Sequence, residues 1–248
     1  MAVNKSAKRR SNPVKTKGIE REYQRSLTHI ARHIGELFGA FPIEDDFSLA
    51  PTLRRMLEAY SETLDAWAKS TASKMIMAVD KRDREAWLSN GKEMSRSLQD
   101  QIRNGATSET LWKLMSEQVT LIKSLPLEAA QRVHDLTIKG LEDSTRASEI
   151  RKMILESGQV TKSRAQLIAR TEVARTSSKL TEARAKNIGS THYIWRTSHD
   201  SDVRSAHKAM DGKVIAWAKP PTLPDGSVTH AGQIYNCRCY PEPIIEDD

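Results

Sequence analysis

Between residues 162 and 197 the spacing of apolar residues changes from a helical period to an alternating one, and no other feature limits the fold as much. Ala165, Ala169, Val173, Thr176, Leu180 and Ala183 recur at steps of three and four, which predicts one long helix over 162–188 stopped by Gly189. The small side chains on that stripe let another helix approach closely. Residues 191–197 then read THYIWRT, with Tyr193 and Trp195 alternating against His192, Ile194 and Arg196 as in a strand. A short helix over 202–210, a turn at Asp211-Gly212 and a second strand over 213–217 follow. Pro220-Pro221, Pro224-Asp225-Gly226 and Gly232 make a loop that something other than a ladder must hold down.

Upstream the grammar is helical throughout. Ile19, Tyr23, Leu27, Ile30, Ile34 and Leu37 form one stripe, and Phe41-Pro42 with Glu44-Asp45-Asp46 end it. Leu53, Leu57, Tyr60, Leu64 and Trp67 form a second, with Ser48 and Thr52 as cap candidates. The pattern then weakens, which predicts exposed Met75, Met77 and Trp87, and Gly91 interrupts it. Further helices are expected over 93–103, from Leu111 to a stop at Leu125-Pro126, over 127–139, and over 148–156 ahead of Gly158. The fold class is therefore α+β: an extended, mainly α-helical N-terminal region followed by a small α+β module with short strands. The expected divisions are a basic tail over 1–17, a helical region over 18–160, the α+β module over 161–243 and an acidic tail over 244–248.

Composition narrows the function classes. Hydrophobic residues are 38% and aromatics 5%, so the core must be aliphatic and lean. Mean hydropathy is −0.59, and no apolar run approaches the ~18 residues of a membrane span. Residues 1–15 lack the apolar stretch of a secretory signal, and two cysteines cannot make a disulfide framework, so a reducing compartment is expected. The net charge is +7, and Lys5, Lys8, Arg9, Arg10, Lys15 and Lys17 supply +6 of it. A tail of that composition does not pack; it is either a solvated arm or one that neutralises phosphates or an acidic partner surface. Residues 144–189 hold ten basic groups against four acidic ones, and Arg164, Arg175, Lys179 and Lys186 form a candidate basic flank for non-specific phosphate contact. Glu242 to the end reads as another exposed terminus.

Reactive side chains concentrate near the C-terminus. Cys237 and Cys239, with His207 and His230, would satisfy a tetrahedral structural zinc. The competing reading is that both thiols pack as small hydrophobes and His207 is hydrogen-bonded inside the module. His192, His199, Arg204, His207 and Asp211 are also the parts of a metal-free nuclease, in which His moves protons and Arg stabilises phosphorane charge. His29 and His33 sit at i and i+4 on the first helix and read as an exposed or interface pair.

Several of these residues recur together in a known family. Ile168-Ala169-Arg170-Thr171-Glu172 lies in the long helix, Trp195-Arg196-Thr197 in a strand, and then come Arg204-x-x-His207, Met210-Asp211-Gly212 and Asn236-Cys237-Arg238-Cys239. In that order they resemble the C-terminal domain of the phage Mu protein F–like minor head proteins, also called head morphogenesis proteins, over about residues 145–243. Arg170, Glu172, Trp195, Arg204, Asp211, Gly212 and Asn236 carry the pattern. Many relatives place a Cys-x-x-Cys before the Asp-Gly turn, where this chain has Arg204 and His207. The departure gives Arg204 a structural role, pairing with Asp200 or Asp211.

The resemblance implies a low-copy virion component inside the head near the portal vertex, made in the host cytoplasm and incorporated during procapsid assembly. The implied partners are the portal protein, scaffold or major capsid protein, and packaged DNA. An enzyme carried in the capsid, a nuclease or a toxin-like transferase using the His/Arg/Asp cluster, is the alternative.

Overall fold

The computed structural model describes residues 14–41, 49–90, 96–105 and 107–245. Lys5, Lys8, Arg9 and Arg10 of the basic tail, Ser48, Gly91 and the acidic residues 246–248 lie outside them. The fold is α+β: mainly helical, with a small three-stranded antiparallel sheet near the C-terminus. Helices α1 (Lys17–Ala40), α2 (Ala50–Thr63), α3 (Asp65–Asn90), α4 (Arg96–Asn104), α5 (Ser108–Glu142) and α6 (Ala147–Asn187) precede strand β1 (His192–Arg196). The one-turn helix α7 (Ser205–Lys208) and strands β2 (Val214–Ala216) and β3 (Tyr240–Pro243) complete it. None of the described helices is long and apolar enough to cross a membrane.

Two compact units interleave along the chain. One gathers Ile76–Trp112 and Val173–Asp248; the other gathers Ile19–Met75 and Lys113–Glu172. In the second unit the expected stripes are largely buried: Tyr23, Leu27, Ile30 and Ile34 on α1, where Phe38 is buried rather than Leu37, and Leu53 and Leu57 on α2 with Leu64 after it, while Trp67 is exposed. α2 opens after Leu49 with a proline in its first turn, so Thr52 lies inside the helix rather than at its cap; Ser48 lies outside the described residues.

Two expected helix stops are absent. Helix α5 runs through Pro126. An interior proline costs about 3 kcal/mol because it deletes one hydrogen bond and crowds the preceding turn. Burial of Ile122, Leu125, Ala129 and Ala130 around it offsets this, and Ser61 Oγ adds a hydrogen bond to the Lys123 carbonyl, one turn before the proline, at 3.0 Å. Helix α6 likewise runs through Gly158, where a single glycine costs only about 1 kcal/mol and Ile154, Ser157 and Thr161 are buried alongside.

In the first unit the sheet order is β2-β1-β3. Tyr193 and Trp195 point inward from β1 as the alternation predicts, and both are fully buried. The core around them also takes Trp87 from α3, Ile102 from α4, Met210, Trp217, Leu223 and Ala231. Trp87 is thus buried, and Met75, in the second unit, is buried as well, correcting the expectation of exposure; of the three only Met77 is exposed, at 56%.

The third strand corrects the reading of the C-terminus. Pro241 sits opposite Trp195 and Pro243 opposite Tyr193. A strand that contains two prolines is tolerated here because β3 is an edge strand. Glu242, read as part of an exposed end, is 9% exposed and pairs with Arg196 of β1.

The proline- and glycine-rich loop after β2 is held by side chains. Ser178 Oγ on α6 donates to Ala231 O at 2.7 Å, and Gln233 Nε2 donates to Glu182 Oε2 at 3.0 Å. Gly232, at φ +80°, passes so close to Cys239 that a Cβ there would lie 2.8 Å from its carbonyl oxygen.

Candidate functional site

His207, Cys237 and Cys239 converge in the core of the first unit. α7 carries His207 inward, and the segment before β3 brings the two thiols to it. Cβ atoms two residues apart in an extended chain would face opposite ways, so both sulfurs reach one point only because the chain turns. Asn236 starts that turn at φ +54°, a conformation asparagine accepts more readily than most residues. The Cys239 N–H then donates to Cys237 Sγ at 3.4 Å. His207 Nδ1 lies 3.4 Å from Cys237 Sγ and 3.4 Å from Cys239 Sγ. The three residues are buried, and their donor atoms all lie within 4.8 Å of one another.

The electrostatics of the pair are asymmetric. Cys237 is held well below the ordinary thiol range, chiefly by the hydrogen bond from Cys239, with His207 and the Cys239 N–H adding to it against the cost of burial. Cys239 is pushed up by the same hydrogen bond and by burial. One proton shared between two sulfurs explains both directions. The Trp195 ring stands edge-on to the His207 imidazole, 5.6 Å between centroids, and fixes its plane. A small cavity touches all three residues, bounded also by Asp202, Arg204, Asn236 and Arg238, with room for about one water.

His230, expected as a second nitrogen ligand, is engaged elsewhere. Its Nδ1 faces the Tyr193 hydroxyl at 3.1 Å, while that oxygen accepts the Ala231 N–H at 3.3 Å. Burial lowers the His230 pKa first, and Lys179 and Lys186 lower it further, against the pull of Glu182. The neutral imidazole is therefore a core residue that pins the loop to β1.

The other motif residues also tie segments together. Asp211 accepts from the Thr197 N–H at 2.9 Å and from its hydroxyl at 3.3 Å, so the turn is fastened to the end of β1. Gly212 takes φ +80° in that turn. Arg204 pairs with neither Asp200 nor Asp211: its Nη2 donates to Tyr235 O at 3.0 Å and its guanidinium lies 4.6 Å from the Tyr235 ring centroid. Asp200 and Asp202 instead hold Arg238, at 3.1 and 2.6 Å. His199 lies 3.6 Å from Asp211, and His192 is exposed on β1.

The basic flank is largely paired within the chain. Arg164 meets Glu128 at 3.2 Å, while Lys179 and Lys186 share Glu182 at 3.5 and 2.7 Å. Arg170 reaches Glu20 at 3.6 Å. Arg175 is half-buried on α6, and Lys15 and Lys17 lie at the start of the described chain. Glu172 is buried and accepts from Gln118 Nε2 at 2.6 Å, and Gln118 in turn accepts from Tyr23 Oη at 2.9 Å. Burial raises the Tyr23 pKa, with Glu172 adding to it, so the phenol remains a donor.

One polar cluster has no forewarning in sequence. Arg184 on α6 pairs with both Asp80 and Asp83 of α3, and Thr181 also donates to Asp83. Asp80 and Asp83 are three apart on one helix face, a spacing visible in the sequence, but the helix around them gives too weak a stripe to mark that face as inward.

A mainly helical chain ending in a small sheet clamped by a His–Cys–Cys cluster is the class these elements define. Residues 131–241 match the family model described as "Phage Mu protein F like protein", so the resemblance carried by the motifs holds over that stretch. The chain is also similar to a protein of Haemophilus influenzae (strain ATCC 51907 / DSM 11121 / KW20 / Rd) described as "Uncharacterized protein". The two are 25% identical over 260 aligned residues, covering 98% of this chain and 57% of that protein. This chain thus spans little more than half the length of that relative. No solved structure matches it significantly.

Proposed function

We propose that this protein is a minor head component of a tailed phage, a structural part of the head taken in during procapsid assembly. In this reading it sits inside the head at the portal vertex in few copies, with the portal protein as principal partner. Scaffold or major capsid protein is the further contact. The basic residues Lys5, Lys8, Arg9, Arg10, Lys15 and Lys17 suit packaged DNA or an acidic partner surface.

The observation that carries the reading is the match of residues 131–241 to the Mu protein F–like family. Its motif residues act as fasteners in this fold: Glu172 holds Gln118, Asp211 holds Thr197, and Asn236 sets the turn of the cysteines. The parts of the alternative nuclease are spent in the same way, since His207 turns to two thiols and Arg204 to Tyr235.

The test is to assemble heads with an epitope-tagged chain and to separate DNA-free procapsids from soluble protein. The chain should sediment with procapsids and cross-link to the portal subunit. A chain absent from procapsids overturns the structural role, and nucleic-acid turnover by the purified protein favours the enzyme.

A further inference from the structure

We propose that His207, Cys237 and Cys239 form a binding site for one thiophilic d¹⁰ cation, with zinc the best fit, and that its fourth position is filled by water from the adjoining cavity. The inference is independent of the role in the phage head, because it rests only on the donor set and its geometry.

The donors are of the right kind and almost in place. A tetrahedral zinc with nitrogen at about 2.0–2.1 Å and sulfur at about 2.3 Å separates those two atoms by about 3.6 Å. Here His207 Nδ1 stands 3.4 Å from each sulfur, so a cation at the common centre asks for a shift of only a few tenths of an ångström. Two thiolates and an imidazole are ligands that select zinc over magnesium or calcium.

Without a cation the cluster is poorly satisfied. One imidazole nitrogen faces two thiols and can make one good hydrogen bond, and thiols are weak donors. All three side chains are nonetheless buried: His207 is 2% exposed, Cys237 3% and Cys239 5%. Within the described structure the far nitrogen of His207, Nε2, is buried without a hydrogen-bond partner. A cation resolves the near side by drawing all three lone pairs at once. The Cys239 N–H already points at Cys237 Sγ, an arrangement that stabilises a thiolate.

Three protein ligands leave one coordination position. The small cavity is lined by all three residues and has room for about one water, so that position is supplied from the Asp202, Arg204, Asn236 and Arg238 side. Two thiolates cancel the charge of a divalent ion, leaving the site neutral beside two arginines. His230 is excluded from the set because its Nδ1 is taken by Tyr193. The ion would fasten α7 to the segment before β3, across 30 and 32 residues of chain.

The experiment uses the full chain, purified without chelators, in four forms: wild type, His207→Asn, Cys239→Ser and His230→Asn. Elemental analysis should find about one zinc per chain in wild type and His230→Asn, and none in the other two. Cobalt(II) added to metal-stripped wild type should give a thiolate-to-cobalt charge-transfer band and intense visible bands of a tetrahedral site, saturating at one equivalent. Circular dichroism confirms that each form is folded, and the wild-type cobalt titration decides alone if a variant does not fold. Wild type that binds neither metal while folded overturns the site. Zinc kept by His207→Asn but lost by His230→Asn overturns the ligand assignment.

Discussion

Arg184 Nη2 lies 2.6 Å from Asp80 Oδ1, with both side chains only 3% exposed. The other prong of the guanidinium holds Asp83, which burial pushes up to about 6 despite the opposing pull of Arg184 and Thr181. Asp83 is thus ionised at neutral pH, and the arginine answers two buried carboxylates.

Replacing Arg184 by methionine is expected to cost about 3–5 kcal/mol, because it leaves buried charge without its partner. In an Asp83→Asn background the same change should cost distinctly less. Urea unfolding of the two single variants and the double variant measures this; additive losses would show that the residues do not act as a unit.

Glu172 should behave as a fastener of the second unit. Glu172→Ala strands the Gln118 amide and loosens Tyr23, and the expected loss is about 1–3 kcal/mol. Glu172→Gln should recover much of it, since an amide oxygen can still accept from Gln118. Thermal unfolding of both variants at one pH is the comparison.

His230 gives a pH dependence whose sign follows from its lowered pKa. The unfolded chain binds this proton below about 6.5 while the folded chain still resists it, so its contribution is complete above 6.5 and is lost as pH falls towards the folded pKa. The slope from one such group is at most about 1.4 kcal/mol per pH unit. Wild type should therefore lose stability faster than His230→Asn between pH 7 and 5; parallel curves by denaturant titration would contradict the assignment.

Two glycines separate backbone strain from close approach. Gly226 and Gly232 have φ of +81° and +80°, but a Cβ at 226 meets nothing within 4 Å while one at 232 meets Cys239 O at 2.8 Å and Ser178 Cβ at 3.3 Å. Gly226→Ala should cost about 1 kcal/mol from the left-handed conformation alone. Gly232→Ala should cost about 2 kcal/mol or more, because the Cys239 carbonyl must also move. Equal losses in thermal melts would remove the steric part of the argument.

What the sequence revealed depended on how local its cause was. Tyr193 and Trp195 gave β1 because a period of two needs only neighbours in the chain. Pro126 and Gly158 were misread because their local cost is real, yet burial around Ile122, Leu125 and Ile154 outweighs it. β3 went unseen since two prolines beside acidic residues look like a terminus; only pairing with β1 makes them a strand. Half of the logic of the His207–Cys237–Cys239 cluster was legible: two cysteines and nearby histidines mark the chemistry. Which histidine reaches them is set by the Tyr193 hydroxyl and the position of α7, and neither leaves a spacing to read. Trp87 looked exposed because the core it enters, around Tyr193 and Trp195, is built from chain about a hundred residues away.

Pro241 and Pro243 have a consequence for how copies of this protein meet. Ile244 N donates to His192 O, so alternate residues of β3 bond towards β1 and the two prolines face away from it. That outer rim lacks the N–H groups a foreign strand would need to zip onto it. A crowded setting, such as an assembling shell, would press identical chains together, and there an open rim invites runaway stacking. Here the rim offers carbonyl acceptors at Pro241 and Pro243 but no N–H donors, so half of the ladder a foreign strand would build there has no counterpart.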